Sequence, residues 1–154
     1  MLVRNFEPED AAKLSPLIIQ NLRQVNIQEY SNEAIDALVP FYTPEKIIER
    51  SKHQFTLVCT LGNDLVGTAS LEDDRVRDVF VDVARHRSGI GKKLMGAIEA
   101  YAREQLLKKI YLLSGLSAYR FYEKLGYKIV KRFDNDLNGI PLPVIHMEKA
   151  LVTD

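Results

Sequence analysis

The run Arg85–Leu94, RHRSGIGKKL, places two glycines one residue apart between a basic cluster and the start of an apolar-periodic segment. Gly89 and Gly91 allow a close backbone approach, Ser88 adds a hydroxyl, and Arg85, His86, Arg87 and Lys92 supply positive charge. Where such glycines open a helix, unpaired amide N–H groups and the helix dipole face an anion together, so the stretch predicts a pyrophosphate cradle. Spacing excludes one common reading of such loops and weakens another. A P-loop requires G-x-x-x-x-G-K followed by Ser or Thr, but His86 stands five residues before Gly91 and Lys93 follows Lys92. A dinucleotide fingerprint needs a third glycine where Leu94 stands, and a repeated βαβ organisation that the chain lacks.

Other residues with chemistry of their own are sparse. Cys59 is the single cysteine, so no internal disulfide forms, and its place on a β-rich run reads as core. His146 alternates with apolar residues and His53 ends a charged helical segment; neither has partners at ligand spacing, so no metal is expected.

The cradle needs a strand before it and a helix after it, and the pattern supplies both. VRDVFVDV reads as a strand, and beyond Gly89 the residues Ile90, Leu94, Ile98 and Tyr101 form one face of a long amphipathic helix. Upstream, MLVRNF reads as a strand, and Ala11, Leu14, Ile18 and Leu22 as a helix that Pro16 should kink or start late. YSNEAIDALV and TPEKIIERSK read as short helices around a VPFY loop, the second with Thr43 as N-cap and Pro44 at its first position. FTLVCTL and LVGTASL flank GND as a hairpin, with Gly67 marking a bulge or close approach. KKIYLLS is a buried strand, and SAYRFYEKLGY a helix capped by Ser117 and stopped by Gly126. YKIVKRF and LPVIHMEKAL close the chain as strands around a DNDLNGIP loop. The order is that of an α+β fold.

Composition narrows the function classes. At 154 residues the chain is expected to be a single domain, 1–154. Apolar residues at 46% and charged residues at 27% are those of an ordinary globular domain. Equal counts of 21 basic and 21 acidic residues remove the field that would draw in nucleic acid. No apolar leader or membrane-length run is present, so a cytoplasmic protein without a membrane partner is expected.

VFVDVARHRSGIGKKLM resembles the central motif of the GNAT N-acetyltransferases, Gln or Arg followed by x-x-G-x-G or A at the end of a central strand. LSAYRFYEKLGY is similar to that family's A-x-x-F-Y-x-x-L-G segment, so the likeness covers nearly the whole chain. One position departs: His86 stands where Gln or Arg is usual, which puts the affinity for coenzyme in question. The resemblance implies a mixed, mostly antiparallel sheet of about six to seven strands, splayed after the central strand and flanked by about four helices. It implies acetyl-coenzyme A as co-substrate, held by His86, Arg87, Ser88, Gly89, Ile90, Gly91 and Lys92 at its phosphates. The backbone of Val81, Asp82 and Val83 would bond the pantetheine arm as a missing strand, with Ser114 and Tyr119 as further contacts.

The implied reaction is direct attack of a primary amine on the thioester, with Tyr122 as general acid and Tyr119 as its substitute. The family's usual glutamates fall on Arg75 and Arg77, which cannot accept a proton; Asp78 is the nearest carboxylate in the strand, with Glu72, Asp73 and Asp74 in the turn before it. Asn21, Asn26, Tyr30 and Tyr42 fall in the segment that walls the family's acceptor site. The expected partner is a small-molecule or peptide amine, the expected state a monomer or homodimer. The alternative is a coenzyme-binding sensor without turnover.

Overall fold

The computed structural model describes residues 1–151. Seven strands form one sheet in the order β1-β2-β3-β4-β5-β7-β6, antiparallel at every pairing except β4 with β5. β1 (Leu2–Asn5) is an edge strand on β2 (Phe55–Leu61), which turns through Gly62 and Asn63 into β3 (Asp64–Glu72). β4 (Arg75–Val81) completes this half of the sheet. The other half holds β5 (Lys109–Ser114), β7 (Ile140–Ala150) and the edge strand β6 (Lys128–Leu137). The fold is the α+β arrangement expected, with five helices on the sheet.

Helix α4 (Ile90–Glu104) covers one face. Its Leu94, Met95 and Ile98 are buried against Leu57, Ala69, Val76, Ile110, Leu112, Ile145 and Met147. Each fully buried Leu or Ile there is worth about 1.5–3 kcal/mol relative to exposure. Gly67 permits the close approach: a Cβ on it would stand 2.9 Å from both Ile90 and Leu94. The strand register also shifts beside it, so Gly67 is both bulge and contact.

The other face carries α1 (Ala11–Gln24), α2 (Asn32–Leu38) and α3 (Pro44–Ser51), which gather Leu14, Ile18, Ile35 and Ile47 around Val58. Ser31 and Thr43 cap α2 and α3, their hydroxyls accepting from Ala34 and Lys46. Helix α1 does not start late: it begins at Ala11 and runs through Pro16. Its start is pinned by Asp10, whose carboxylate takes a two-pronged bond from Arg4 at 2.8 Å and a third bond from the Glu7 amide. VPFY forms a single 3-10 turn between α2 and α3 rather than an open loop.

Two further expectations are corrected. Helix α5 (Tyr119–Lys124) starts after Ser117, which is not its cap; the Ser117 amide instead donates to the Glu29 carboxylate at 2.7 Å. The segment Asp134–Leu137 is strand, because each residue has a cross-strand partner in β7, and only Asn138 and Gly139 make the turn. Local turn propensity yields there to the ladder.

Behind the sheet a buried ionic cluster ties three elements together. Glu99 of α4, 6% exposed, accepts from the Tyr127 hydroxyl at 3.0 Å and the Lys149 ammonium at 2.8 Å. Lys149 also donates to the Leu125 carbonyl at the end of α5. The Tyr127 ring in turn packs edge-on against Tyr122. Removing one partner strands the others without solvent, so Glu99→Ala should cost about 3–5 kcal/mol in urea unfolding, and Glu99→Gln clearly less.

Candidate active site

β4 and β5 run parallel but share only one register pair, Arg75 with Tyr111, reinforced by the Tyr111 amide donating to the Asp74 carbonyl at 3.0 Å. Past that joint they separate around a cleft of about 540 Å³, lined by Val79 from β4, Leu112, Leu113 and Ser114 from β5, and Tyr122 from α5. The Asp82 amide donates to Val66 of β3, so by strand alternation Val79 and Val81 turn their backbone groups toward the gap. The Val81 carbonyl is bonded by Asn21 Nδ2 at 2.8 Å and His86 Nε2 at 3.0 Å, which requires His86 to carry its proton on Nε2.

The three residues expected to face pantetheine therefore separate. Val81 faces the gap, whereas Asp82 does not. Its amide and carbonyl are engaged with Val66 and Arg85, and its carboxylate accepts from Ala84. Val83 opens the 3-10 turn Val83–Arg85. The bulge of β4 lies farther back, where Asp78 and Val79 together oppose Ala69 and Asp78 adopts a left-handed φ of 52°.

At the mouth of the gap stands the glycine run. Gly89, with φ 86°, precedes the first turn of α4, and the amides from His86 through Lys92 donate to no backbone carbonyl among the described residues. Arg87 is also left-handed, φ 65°, which curls the exposed stretch His86–Gly89 into a concave row of N–H groups. The Ser88 hydroxyl donates to the Arg85 carbonyl, Lys92 is exposed, and Ile90 is buried beneath the helix start. This row fits a pyrophosphate.

Tyr122 is almost fully buried and lines the cleft. Burial holds its phenol well above the ordinary value, so it stays protonated. Ser114 lines the cleft too, although its hydroxyl donates to the Gly115 carbonyl. Tyr119 is not among the lining residues; its hydroxyl accepts from Arg120 and its ring lies beneath Arg132.

Asp78 reaches the cleft wall as a structural hub. It accepts from the Tyr42 hydroxyl at 2.9 Å and Gln54 at 3.4 Å, and pairs with Arg50 at 3.5 Å. Burial, the Asp78 charge and that hydrogen bond all raise the Tyr42 phenol. Asn26 and Tyr30 line the same cleft; burial and Glu29 push Tyr30 up to about 12. Glu29 was not anticipated from the sequence. It lies against Gly115 so closely that a Cβ there would collide with its carboxylate, and nothing in its neighbourhood along the chain marks it out.

The comparisons with known proteins agree with this geometry. The family model described as an acetyltransferase (GNAT) domain matches residues 26–151. A GCN5-related N-acetyltransferase from Rhodopseudomonas palustris superposes with a TM-score of 0.90 at 27% identity, covering 97% of this chain and 94% of that one. The PaiA N-acetyltransferase of Thermoplasma acidophilum, solved with coenzyme A, gives 0.79 at 21%, covering 97% and 98%. The yncA protein of Salmonella typhimurium, solved with acetyl-CoA, gives 0.73 at 18%, covering 100% and 95%. No curated protein sequence matches significantly. Such a sheet, parted beside a glycine-led helix, defines an acyltransferase of the N-acetyltransferase class. The chain belongs to the GNAT acetyltransferase family.

No helix among the described residues is long and apolar enough to cross a membrane. A Cβ on Gly91 would sit 3.0 Å from Phe121, while Gly89 has open space but a φ that branched residues avoid. Gly89→Val and Gly91→Val should each weaken coenzyme A binding in calorimetry at least tenfold. Gly96→Ala, unobstructed in the helix interior, should leave binding intact and stabilise by about 0.5–1 kcal/mol.

Proposed function

We propose that the chain moves the acetyl group of acetyl-CoA onto a primary amine by direct attack on the thioester. One observation carries this reading: β4 and β5 part around a cleft that Tyr122 lines, and β4 leads at Val81 into a run of amides that donate to no backbone carbonyl among the described residues. The cradle residues His86–Lys92 would hold the pyrophosphate, and the Val81 amide would bond the pantetheine arm. The bound thioester supplies an electrophilic carbonyl and a sulfur leaving group. The amine nitrogen bonds to that carbon, the carbon–sulfur bond breaks with its electron pair leaving on sulfur, and the nitrogen's surplus proton passes to water.

Tyr122 serves the departing sulfur. A thiol loses its proton near ~8.5 and an unperturbed phenol near ~10, so with its phenol raised further Tyr122 stabilises the thiolate by donating a hydrogen bond, and solvent completes protonation. Asp78, fully occupied by Tyr42, Gln54 and Arg50, positions the cleft wall in this reading. The amine then arrives neutral or loses its proton through water, so the rising limb of the pH profile follows the acceptor's own pKa. The substitution of both strand glutamates by Arg75 and Arg77 favours one competing reading, a coenzyme sensor without turnover, which thiol release with any amine would eliminate.

Tyr122→Phe should lower kcat about 10- to 100-fold, equivalent to about 1.4–2.8 kcal/mol, with the KM for acetyl-CoA little changed. Because burial raises the Tyr122 pKa, the wild-type rate should show no decline from its ionisation up to pH ~10. A fall centred below that value, absent from Tyr122→Phe, would reject this role.

A further inference from the structure

We propose that the acceptor amine also carries an oxyanion, foremost a carboxylate, and that Arg75 at the floor of the cleft receives it. The inference rests on the acetyl-transfer reading and names the substrate class for that same site.

The charges lining the cleft can be paired off until one remains. Arg50 is held by Asp78 at 3.5 Å and by the Phe41 carbonyl. Arg77 donates to Glu72 at 3.1 Å. Glu29 accepts from the Ser117 amide at 2.7 Å, and Asp136 from the Gly139 amide at 2.9 Å. Arg75 lines the same cleft, and its buried Nε has no hydrogen-bond partner among the described residues. Burial and then the adjacent Arg77 charge pull its guanidinium below the ordinary value, which Tyr111, Asp78 and Glu72 only partly offset. A half-buried guanidinium whose Nε makes no hydrogen bond is costly, and its planar fork matches an oxyanion in two parallel bonds.

Position decides which molecule brings that oxyanion. Val76, between Arg75 and Arg77, is buried in the α4-side core, so strand alternation puts both arginines on the opposite face with α1–α3. Arg75 lies six residues before Val81, about 20 Å along the strand from the end that leads into the cradle. Phosphates held at His86–Lys92 do not reach it, which leaves the acceptor. A purely cationic polyamine meets the opposite of what it needs there.

The test measures thiol release from acetyl-CoA with amino acids, their amides, phosphoethanolamine, tyramine and spermidine, with kcat/KM expressed per neutral amine. Amino acids are expected to exceed their amides at least tenfold. Arg75→Gln should abolish that preference by raising the KM of carboxylated acceptors at least tenfold, leaving kcat and the KM for acetyl-CoA unchanged; Arg75→Lys should restore part of it. Phosphoethanolamine outrunning the amino acids would keep the oxyanion and assign it to phosphate. Equal rates for acids and amides, preference for spermidine, or a uniform loss in Arg75→Gln would overturn the proposal. So would faster turnover with succinyl-CoA and tyramine, which would put the anion on the donor. If nothing turns over, calorimetry decides: N-acetyl amino acids should bind the coenzyme A-loaded protein in an Arg75-dependent way and their amides should not, and no such difference overturns the proposal. Failure to bind acetyl-CoA itself sinks the acetyl-transfer reading instead.

Discussion

A parallel strand pair that keeps a single register contact is the constraint from which the rest follows. Beyond Arg75 and Tyr111 the sheet stops pairing, and backbone groups of Val79 and Val81 lose the strand partner that a continuous sheet would give them. Part of that demand is met from within, by Asn21 and His86 on the Val81 carbonyl. The remainder is left facing the gap. An antiparallel half-sheet on each side braces the two lips.

Holding the lips apart takes forces on both faces. On one, α4 is clamped to β7 and to the end of α5 by Glu99, Lys149 and Tyr127, which fixes the segment carrying Tyr122. On the other, α1 is anchored at its start by Arg4 and Asp10, and that anchorage brings Asn21 to the strand. The β4 bulge adds the hub at Asp78, where Tyr42 and Arg50 join the α3 side to the centre of the sheet. Stability and site geometry thus share the same side chains.

Much of this was legible along the chain because it is written locally. Caps at Thr43, the hairpin at Gly62 and Asn63, the apolar stripe of α4 and the glycines before it all act within a few residues, and the family likeness rests on two such local runs. What was not legible depends on partners far away. Ser117 looked like a cap, but its amide is claimed by Glu29, 88 residues earlier. Asp134 and Asp136 looked like turn residues until β7 was there to pair with them. Asp78 is, by sequence, the nearest carboxylate in the strand for a base; Gln54 and Tyr42, 24 and 36 residues before it, bond its oxygens. The resemblance implies Asp82 as a backbone contact to pantetheine; its amide bonds Val66 of β3, a partner that no local pattern names.

The outer strand β6 bears on how the protein keeps its own copies apart. It is ten residues long with one unpaired edge, and Ile129 and Val130 on it are exposed at 38% and 51%. Left plain, such an edge is a template for sheet-to-sheet aggregation. Lys128, Lys131 and Arg132 surround the two apolar side chains, and the register breaks between Ile129 and Lys131 at the same point. A second chain docking there would meet like charges and a kinked ladder, so this apolar stretch of the edge carries its own deterrent against fibre growth.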